Sequence, residues 1–237
     1  MTVSLPLVRA APPQEPESEE PLVIIVDDDA SVREALSELM MSAGFEVICY
    51  ASTIAFLDAG APDRPCCLIV DVRMPGASGL DLQERLSRSS DPRPIIFLTG
   101  YGDIPMTVQA MKAGAIDFLT KPVRDQTLLD AVHTAIARDR IQRQTAAELK
   151  RNLERLATLT PREREVLHKV MGGQLNKQIA FDLGISEVTV KLHRSNAMRK
   201  MAMNSMGQMI RAWEALPAAA RAWPMRHTND DHVVEPK

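Results

Sequence analysis

Aromatic residues make up only 4% of this 237-residue chain. That scarcity argues against a ring-lined binding face, such as a sugar site or a platform for single-stranded nucleic acid. Cysteine is almost absent as well: Cys49, Cys66 and Cys67 are the full set, all inside predicted strands. Neighbouring strand residues point to opposite faces, so Cys66 and Cys67 can readily share neither a bridge nor a metal. Buried, reduced thiols are expected, in a cytoplasmic protein. No apolar stretch approaches a membrane span and the N-terminus carries no signal-peptide core, so no membrane partner is expected.

What is present permits a proper core, since hydrophobic residues make up 45% of the chain. The formal net charge of -3 hides a division. Residues 1–145 hold 13 basic and 21 acidic side chains, whereas residues 146–216 hold 12 and 7. An acidic module joined to a basic one of nucleic-acid-binding character follows. Residues 1–20, rich in proline and glutamate, read as a disordered lead.

Cys66-Cys67-Leu68-Ile69-Val70 is a short apolar run that ends on Asp71 and is followed by Met74-Pro75-Gly76, the pattern of a buried strand. A second run, Leu22-Val23-Ile24-Ile25-Val26, ends on Asp27-Asp28-Asp29. Taken singly, each aspartate reads as a helix N-cap after a strand. Together, carboxylates delivered to one carboxyl edge of a parallel sheet repel each other and call for a cation; all-oxygen donors with room for water favour Mg2+.

Helices and strands then alternate. A capping box at Ser31 to Glu34 opens a helix whose apolar side is Val32, Ala35, Leu36, Leu39 and Ala43. Strands are expected over 45–50, 95–99 and 116–119, and helices over 53–58, 79–87, 106–113 and from about 125. Five alternations predict an α/β fold with a doubly wound, five-stranded parallel sheet. Its carboxyl edge would also carry Thr99 and Lys121.

With VDDD, DVRMPGASG, TGYGD and AGAIDFLTKP in that order, residues 21–137 resemble a bacterial two-component receiver domain, which has a flavodoxin-like fold. The resemblance implies that Asp71 is the phosphoacceptor for a sensor histidine kinase. It implies Mg2+ held by Asp28, Asp71 and the backbone carbonyl of Arg73, with Asp27 acting through water. Thr99 and Lys121 would bind phosphoryl oxygens, Phe118 would be the switch aromatic, and Lys121-Pro122 would occupy the family's cis-peptide position. Asp29 is read as a helix cap, without a ligand role. The face around 104–137 would pair two copies after phosphorylation. An aspartyl-nucleophile phosphatase of the haloacid-dehalogenase type is the rival enzyme class, but it wants a second aspartate two residues on, where this chain has Arg73.

Residues 138–156 lack proline and glycine and read as a helical linker, with Leu149, Leu153 and Leu156 hinting at a coiled seam. Thr160-Pro161-Arg162-Glu163 is a strong helix start, and Gly172-Gly173 ends that helix. Two further helices, opening at Asn176 and after Ser186, flank Leu183-Gly184-Ile185-Ser186 as a helix-turn-helix. Spacing on the second puts Val190, Ala197 and Met201 inward and Val188, Lys191, Leu192, Ser195 and Arg199 outward. An outward leucine suits thymine methyls in a major groove. Lys191 is the best candidate for a base edge; Lys177 joins the contact set, and Arg194, Arg199 and Lys200 are assigned to phosphates.

LTPREREVL, NKQIAFDLGIS and TVKLHRSNAMRKM resemble a LuxR-type DNA-binding domain over residues 157–216. The whole then resembles NarL/FixJ-type response regulators, which are not enzymes but transcription factors that dimerise on phosphorylation, bind double-stranded promoter DNA and meet RNA polymerase. A regulator that binds DNA constitutively is the remaining alternative. The methionine-rich 201–206 departs from the family's usual turn. The 217–237 tail has no counterpart, and its His227 and His232 read as solvated rather than metal-binding.

Overall fold

The computed structural model describes residues 20–60, 62–88, 93–100 and 102–222; most of the acidic lead, together with His227 and His232, lies outside them. The chain divides into two compact units, Met1–Arg143 and Gln144–Lys237. The first alternates β1 (Leu22–Val26), α1 (Ala30–Ser42), β2 (Glu46–Tyr50), α2 (Thr53–Ala59), β3 (Cys66–Val70), α3 (Gly79–Ser87), β4 (Ile95–Thr99), α4 (Ile104–Lys112), β5 (Asp117–Thr120) and the opening of α5 (Asp125–Ala157). Its five strands pair in parallel in the order β2-β1-β3-β4-β5. This is the expected doubly wound sheet, and its order reverses between β1 and β3.

Strands buried on both faces explain the unbroken apolar runs. Leu22, Ile24, Val26, Cys66, Leu68, Val70 and Phe97 pack with α2, α3 and α4 through Phe56, Leu82 and Ala110. The alternate residues Val23, Ile25, Cys67, Ile69, Ile96 and Leu98 pack with α1 and α5 through Leu36, Met40, Leu128, Val132 and Ile136. Cys66 and Cys67 thus face opposite layers as free thiols, and burial pushes both pKa values up, so both stay protonated. Cys49 breaks the expectation of buried thiols: it is exposed on β2, which borders the sheet. Truncating fully buried Phe97 to alanine would cost about 3–5 kcal/mol.

Local chemistry moved several boundaries. The Ser31–Glu34 capping box does not open α1; Asp29 does, its carboxylate accepting the N–H of Ser31 at 2.8 Å. Asp103 likewise caps α4, accepting Met106 N–H at 2.8 Å, so α4 begins two residues before the predicted 106. β2 starts one residue later than predicted, and β5 runs Asp117–Thr120 instead of 116–119. At the amino end of β3 the buried Asp139 of α5 accepts the N–H of Cys66 at 2.9 Å and is itself held by Arg143 Nε at 2.8 Å. The strand that presents Asp71 is therefore fixed at its far end by α5.

Residues 138–156 do not form a separate linker. Their first part serves that Asp139 lock, and the rest belongs to the second unit, where Leu149, Leu153 and Leu156 join the core rather than a coiled seam. The second unit continues with α6 (Pro161–Met171), α7 (Asn176–Leu183), α8 (Glu187–Lys200), α9 (Met206–Ala215) and α10 (Ala218–Arg221). The Thr160–Glu163 capping box forms as expected. Met201, Met203 and Met206 pack into the core beside Met209 and Trp213, so the methionines of 201–206 fill space around an irregular turn in which Ala202 takes φ +54°. Part of the tail is structured: α10 follows Pro217, and Arg164 Nη2 donates to Ala220 O at 2.8 Å.

Candidate functional site

Parallel pairing sets the first site. Asp71 N–H donates to Val26 O at 2.9 Å and Lys121 N–H to Thr99 O at 2.9 Å, so the residues that end β1, β3, β4 and β5 gather at one sheet edge. A tight turn after Asp71 leads into α3: Gly79 N–H reaches Val72 O at 3.1 Å, and a Cβ on Gly79 would collide with the Asp71 carbonyl oxygen. No other residue fits there without moving the aspartate.

Carboxylate oxygens of Asp27, Asp28 and Asp71 all lie within 4.8 Å of one another. Asp27 is 2% exposed, Asp71 half-buried and Asp28 open to solvent. Such a trio of hard oxygen donors with one open side fits a hard divalent cation that keeps some of its water. The oxygens of Asp27 are both engaged: Oδ1 accepts Asp29 N–H at 2.9 Å and Oδ2 accepts Lys121 Nζ at 2.6 Å. Lys121 Nζ also stands 3.5 Å from Asp71 Oδ2, and Asp71 Oδ1 accepts Arg73 N–H at 3.3 Å. Burial alone would lower the Lys121 pKa; the hydrogen bond and the charges of Asp27 and Asp71 outweigh it and raise the value, so the amine stays charged. Lys121-Pro122 is cis.

Thr99 is 1% exposed at the end of β4. Phe118 is half-buried on β5, its ring 5.8 Å from that of Phe97. The structure thus brings Asp27, Asp28, Asp71 and Lys121 into one cluster, with Thr99 and Phe118 on the strands beside it. Sequence reasoning missed Arg33, whose Nη1 donates to Asp27 O at 2.6 Å and steadies the loop carrying the acids. Its place on α1, just after the DDD run, was the available signal.

The second site is the face of α8. Val190, Ala197 and Met201 are fully buried, while Val188, Lys191, Leu192, Ser195 and Arg199 are exposed, Leu192 by 58%. Gly184, at φ +63°, makes the left-handed turn between α7 and α8, and Ser186 caps α8 through Thr189 N–H at 3.1 Å. Lys177 is exposed in the first turn of α7; Arg194 is half-buried, with Nη1 3.5 Å from Asn176 Oδ1. Lys200 differs from the rest. Its Nζ lies 2.6 Å from Glu163 Oε2 and 3.3 Å from Thr158 O, so it braces the start of α6 and is dropped from the phosphate-contact set. Glu163 is buried, which raises its pKa, but the bonds from Lys200 and Thr160 prevail and hold it below the ordinary value. The sequence also gave no warning that Phe181 of α7 would be 88% exposed.

Comparison with known proteins matches residues 23–133 to the response regulator receiver domain and residues 157–213 to the luxR family of bacterial regulatory proteins. The chain is 48% identical to Nodulation protein W of Bradyrhizobium diazoefficiens, over 90% of this chain and 91% of that one. It is 43% identical to Transcriptional regulatory protein FixJ of Azorhizobium caulinodans, over 80% and 90% respectively. Among solved structures, response regulator StyR superposes with TM-score 0.72 at 49% identity, covering 83% of this chain and 99% of that one. Full-length FixJ from B. japonicum gives TM-score 0.50 at 39% identity, covering 82% and 96%.

Proposed function

The chain belongs to the FixJ-type response regulators, with a receiver domain and a LuxR-type DNA-binding domain, and from that premise we propose that phosphotransfer from a sensor kinase histidine to Asp71 drives dimerisation and promoter binding. The family is one of transcriptional regulators, not an enzyme class. The observation that carries the proposal is Lys121 Nζ, poised between Asp27 at 2.6 Å and Asp71 at 3.5 Å where the sheet order reverses.

In the transfer, one carboxylate oxygen of Asp71 attacks the phosphorus of a phosphohistidine. The O–P bond forms as the N–P bond breaks, and the departing imidazole keeps the electron pair and takes up a proton. Asp28, Asp71 and the carbonyl of Arg73 would hold Mg2+ directly. Asp27, with its oxygens already taken by Asp29 and Lys121, is suited to the indirect, water-mediated role. Bound there, Mg2+ neutralises charge on the transferring group.

The new group adds roughly -1.5 to -2 charges. Lys121 then exchanges Asp27 for a phosphoryl oxygen, and Thr99 turns its hydroxyl to another. Phe118 follows Thr99, and the face around 104–137 pairs with its copy. Moving such a switch from 1:99 to 99:1 needs about 5.5 kcal/mol of differential stabilisation, in reach of contacts made only in the phosphorylated state.

The paired DNA-binding units would read half-sites about 34–36 Å apart, or a multiple of that. Lys191 and Leu192 would meet base edges beside Val188 and Ser195, and Lys177, Arg194 and Arg199 would meet phosphates. The dimer would act on RNA polymerase in the cytoplasm, where the promoter is; no described helix is long and apolar enough to cross a membrane. Acetyl phosphate with Mg2+ tests the reading. Mass spectrometry should find one phosphoryl group on Asp71, sedimentation should show dimer, and Asp71→Asn should abolish both.

A further inference from the structure

The last turn of α5 meets the end of α8. Leu156 and Met201 are both buried in one core there, so two carboxyl ends, each the negative pole of its helix, are brought together. Such ends also leave carbonyl oxygens without an intrahelical partner. In α8 the carbonyls of Ala197, Met198 and Arg199 accept the N–H groups of Met201 at 2.9 Å, Met203 at 3.0 Å and Ala202 at 3.0 Å. The Met201 carbonyl instead accepts Arg155 Nη1 of α5 at 3.5 Å. At the end of α5, Thr158 N–H closes on Arg155 O at 3.0 Å, and the Thr158 carbonyl accepts Lys200 Nζ of α8 at 3.3 Å. Each helix thus sets a cation against a carbonyl at the other's end. At 3.5 and 3.3 Å these contacts are long, and their strength lies in the charge facing a helix pole, roughly twofold to fivefold in an equilibrium constant each.

Arg155 lies outside the luxR-family match, which begins at residue 157, and inside the stretch expected to be a linker. Lys200 also serves Glu163, so Arg155 is the member of the clasp whose effect on α8 can be isolated. We propose that Arg155 is a positioning residue for DNA readout: from the last turn of the helix that begins at Asp125, it fixes the carboxyl end of α8 and with it the angle at which Lys191 and Leu192 are presented. Base edges are read only when the reading side chains are held to within about 0.5 Å, whereas attraction to phosphates tolerates more. Losing the clasp therefore costs sequence preference before it costs affinity for DNA in general. The inference rests on the reading that the α8 face meets DNA.

Full-length protein with beryllium fluoride and Mg2+, titrated by fluorescence anisotropy on its selected operator and on a scrambled duplex across salt concentrations, tests this. Arg155→Met keeps the apolar stem and Arg155→Lys keeps a cation. Arg155→Met should bind the operator about fivefold more weakly. On the scrambled duplex it should stay within about twofold of wild type, with the same salt slope. Arg155→Lys should recover most of the lost preference. Without DNA, amide hydrogen exchange at Ala202 and Met203 should quicken in Arg155→Met and slow again in Arg155→Lys. Unchanged operator preference or unchanged exchange in Arg155→Met overturns the proposal, and so does failure of lysine to restore the preference. Equal losses on both duplexes also overturn it: Arg155 then either touches a phosphate, with the salt slope lowered by about one, or only stabilises the fold. Thermal unfolding confirms that each variant is folded. A wild type that does not prefer operator to scrambled duplex would sink the reading of α8, whereas hydrogen exchange, which needs no DNA, still tests the clasp itself.

Discussion

Replacing Lys121 by methionine keeps the length and volume of the side chain and removes its charge, which gives two effects of opposite sign. The amine stands 2.6 Å from Asp27 Oδ2 and 3.5 Å from Asp71 Oδ2 and is held protonated by both. Two unit charges about 4 Å apart interact by about 4 kcal/mol at an effective dielectric near 20. The Lys121 side chain is 24% exposed; solvent screening leaves about 1–2 kcal/mol. By that amount the lysine competes with a divalent cation for the acids, so Lys121→Met should bind Mg2+ about 5- to 30-fold more tightly. Without Mg2+ the same variant should be less stable by about 1–3 kcal/mol, because Asp27 is left buried without its cation. It should also lose the dimerisation that beryllium fluoride induces in the wild type. Isothermal titration calorimetry with MgCl2 and thermal unfolding with and without Mg2+ read the first two effects. Unchanged or weaker Mg2+ binding by Lys121→Met would refute the competition.

On α8, Lys191→Ala and Leu192→Ala should each weaken binding to the selected operator by about 1–3 kcal/mol and relax sequence preference, whereas Arg199→Ala should weaken specific and non-specific DNA alike and lower the salt slope; fluorescence anisotropy across salt concentrations separates the two. Glu163 is held below its ordinary pKa, so its contribution is present above that value and is lost as pH falls through the folded-state value. The second unit should therefore weaken below the ordinary carboxylate range. Glu163→Gln should lose about 1–2 kcal/mol at neutral pH and show a flatter acid limb, read by urea unfolding on fluorescence from Trp213 and Trp223. Ala202 sits at φ +54°, and Ala202→Gly should stabilise the same unit by about 1 kcal/mol, checked by the same unfolding curves.

Periodicity and punctuation carried most of the fold. The apolar runs before Asp27 and Asp71 are long enough to be buried on both faces, and nothing but a parallel sheet covered by helices accommodates them. The inward side of α8 followed from 3.6-residue spacing alone, since Val190 and Ala197 lie seven apart and both are fully buried. Where reading failed, several side-chain donors or acceptors competed for one helix end. At α1 the cap is Asp29, as one of the two readings had it, and not the box at Ser31; at α4 Asp103 took the cap ahead of the expected start. Lys200 looked like its neighbour Arg199, but its partner is Glu163, 37 positions away in the chain. Spacing on one helix cannot reveal such a partner. Leu149, Leu153 and Leu156 do make an apolar side, but periodicity does not say which surface covers it, and the core of the second unit does.

Operator occupancy by the full-length protein with beryllium fluoride and Mg2+, compared between wild type and Asp71→Asn by fluorescence anisotropy, bears most directly on the claim that one aspartate governs DNA binding. Wild-type affinity should rise at least tenfold over the untreated protein, with two copies per site, and Asp71→Asn should stay at the untreated level. Equal affinity in all four conditions, or a full response by Asp71→Asn, would contradict it.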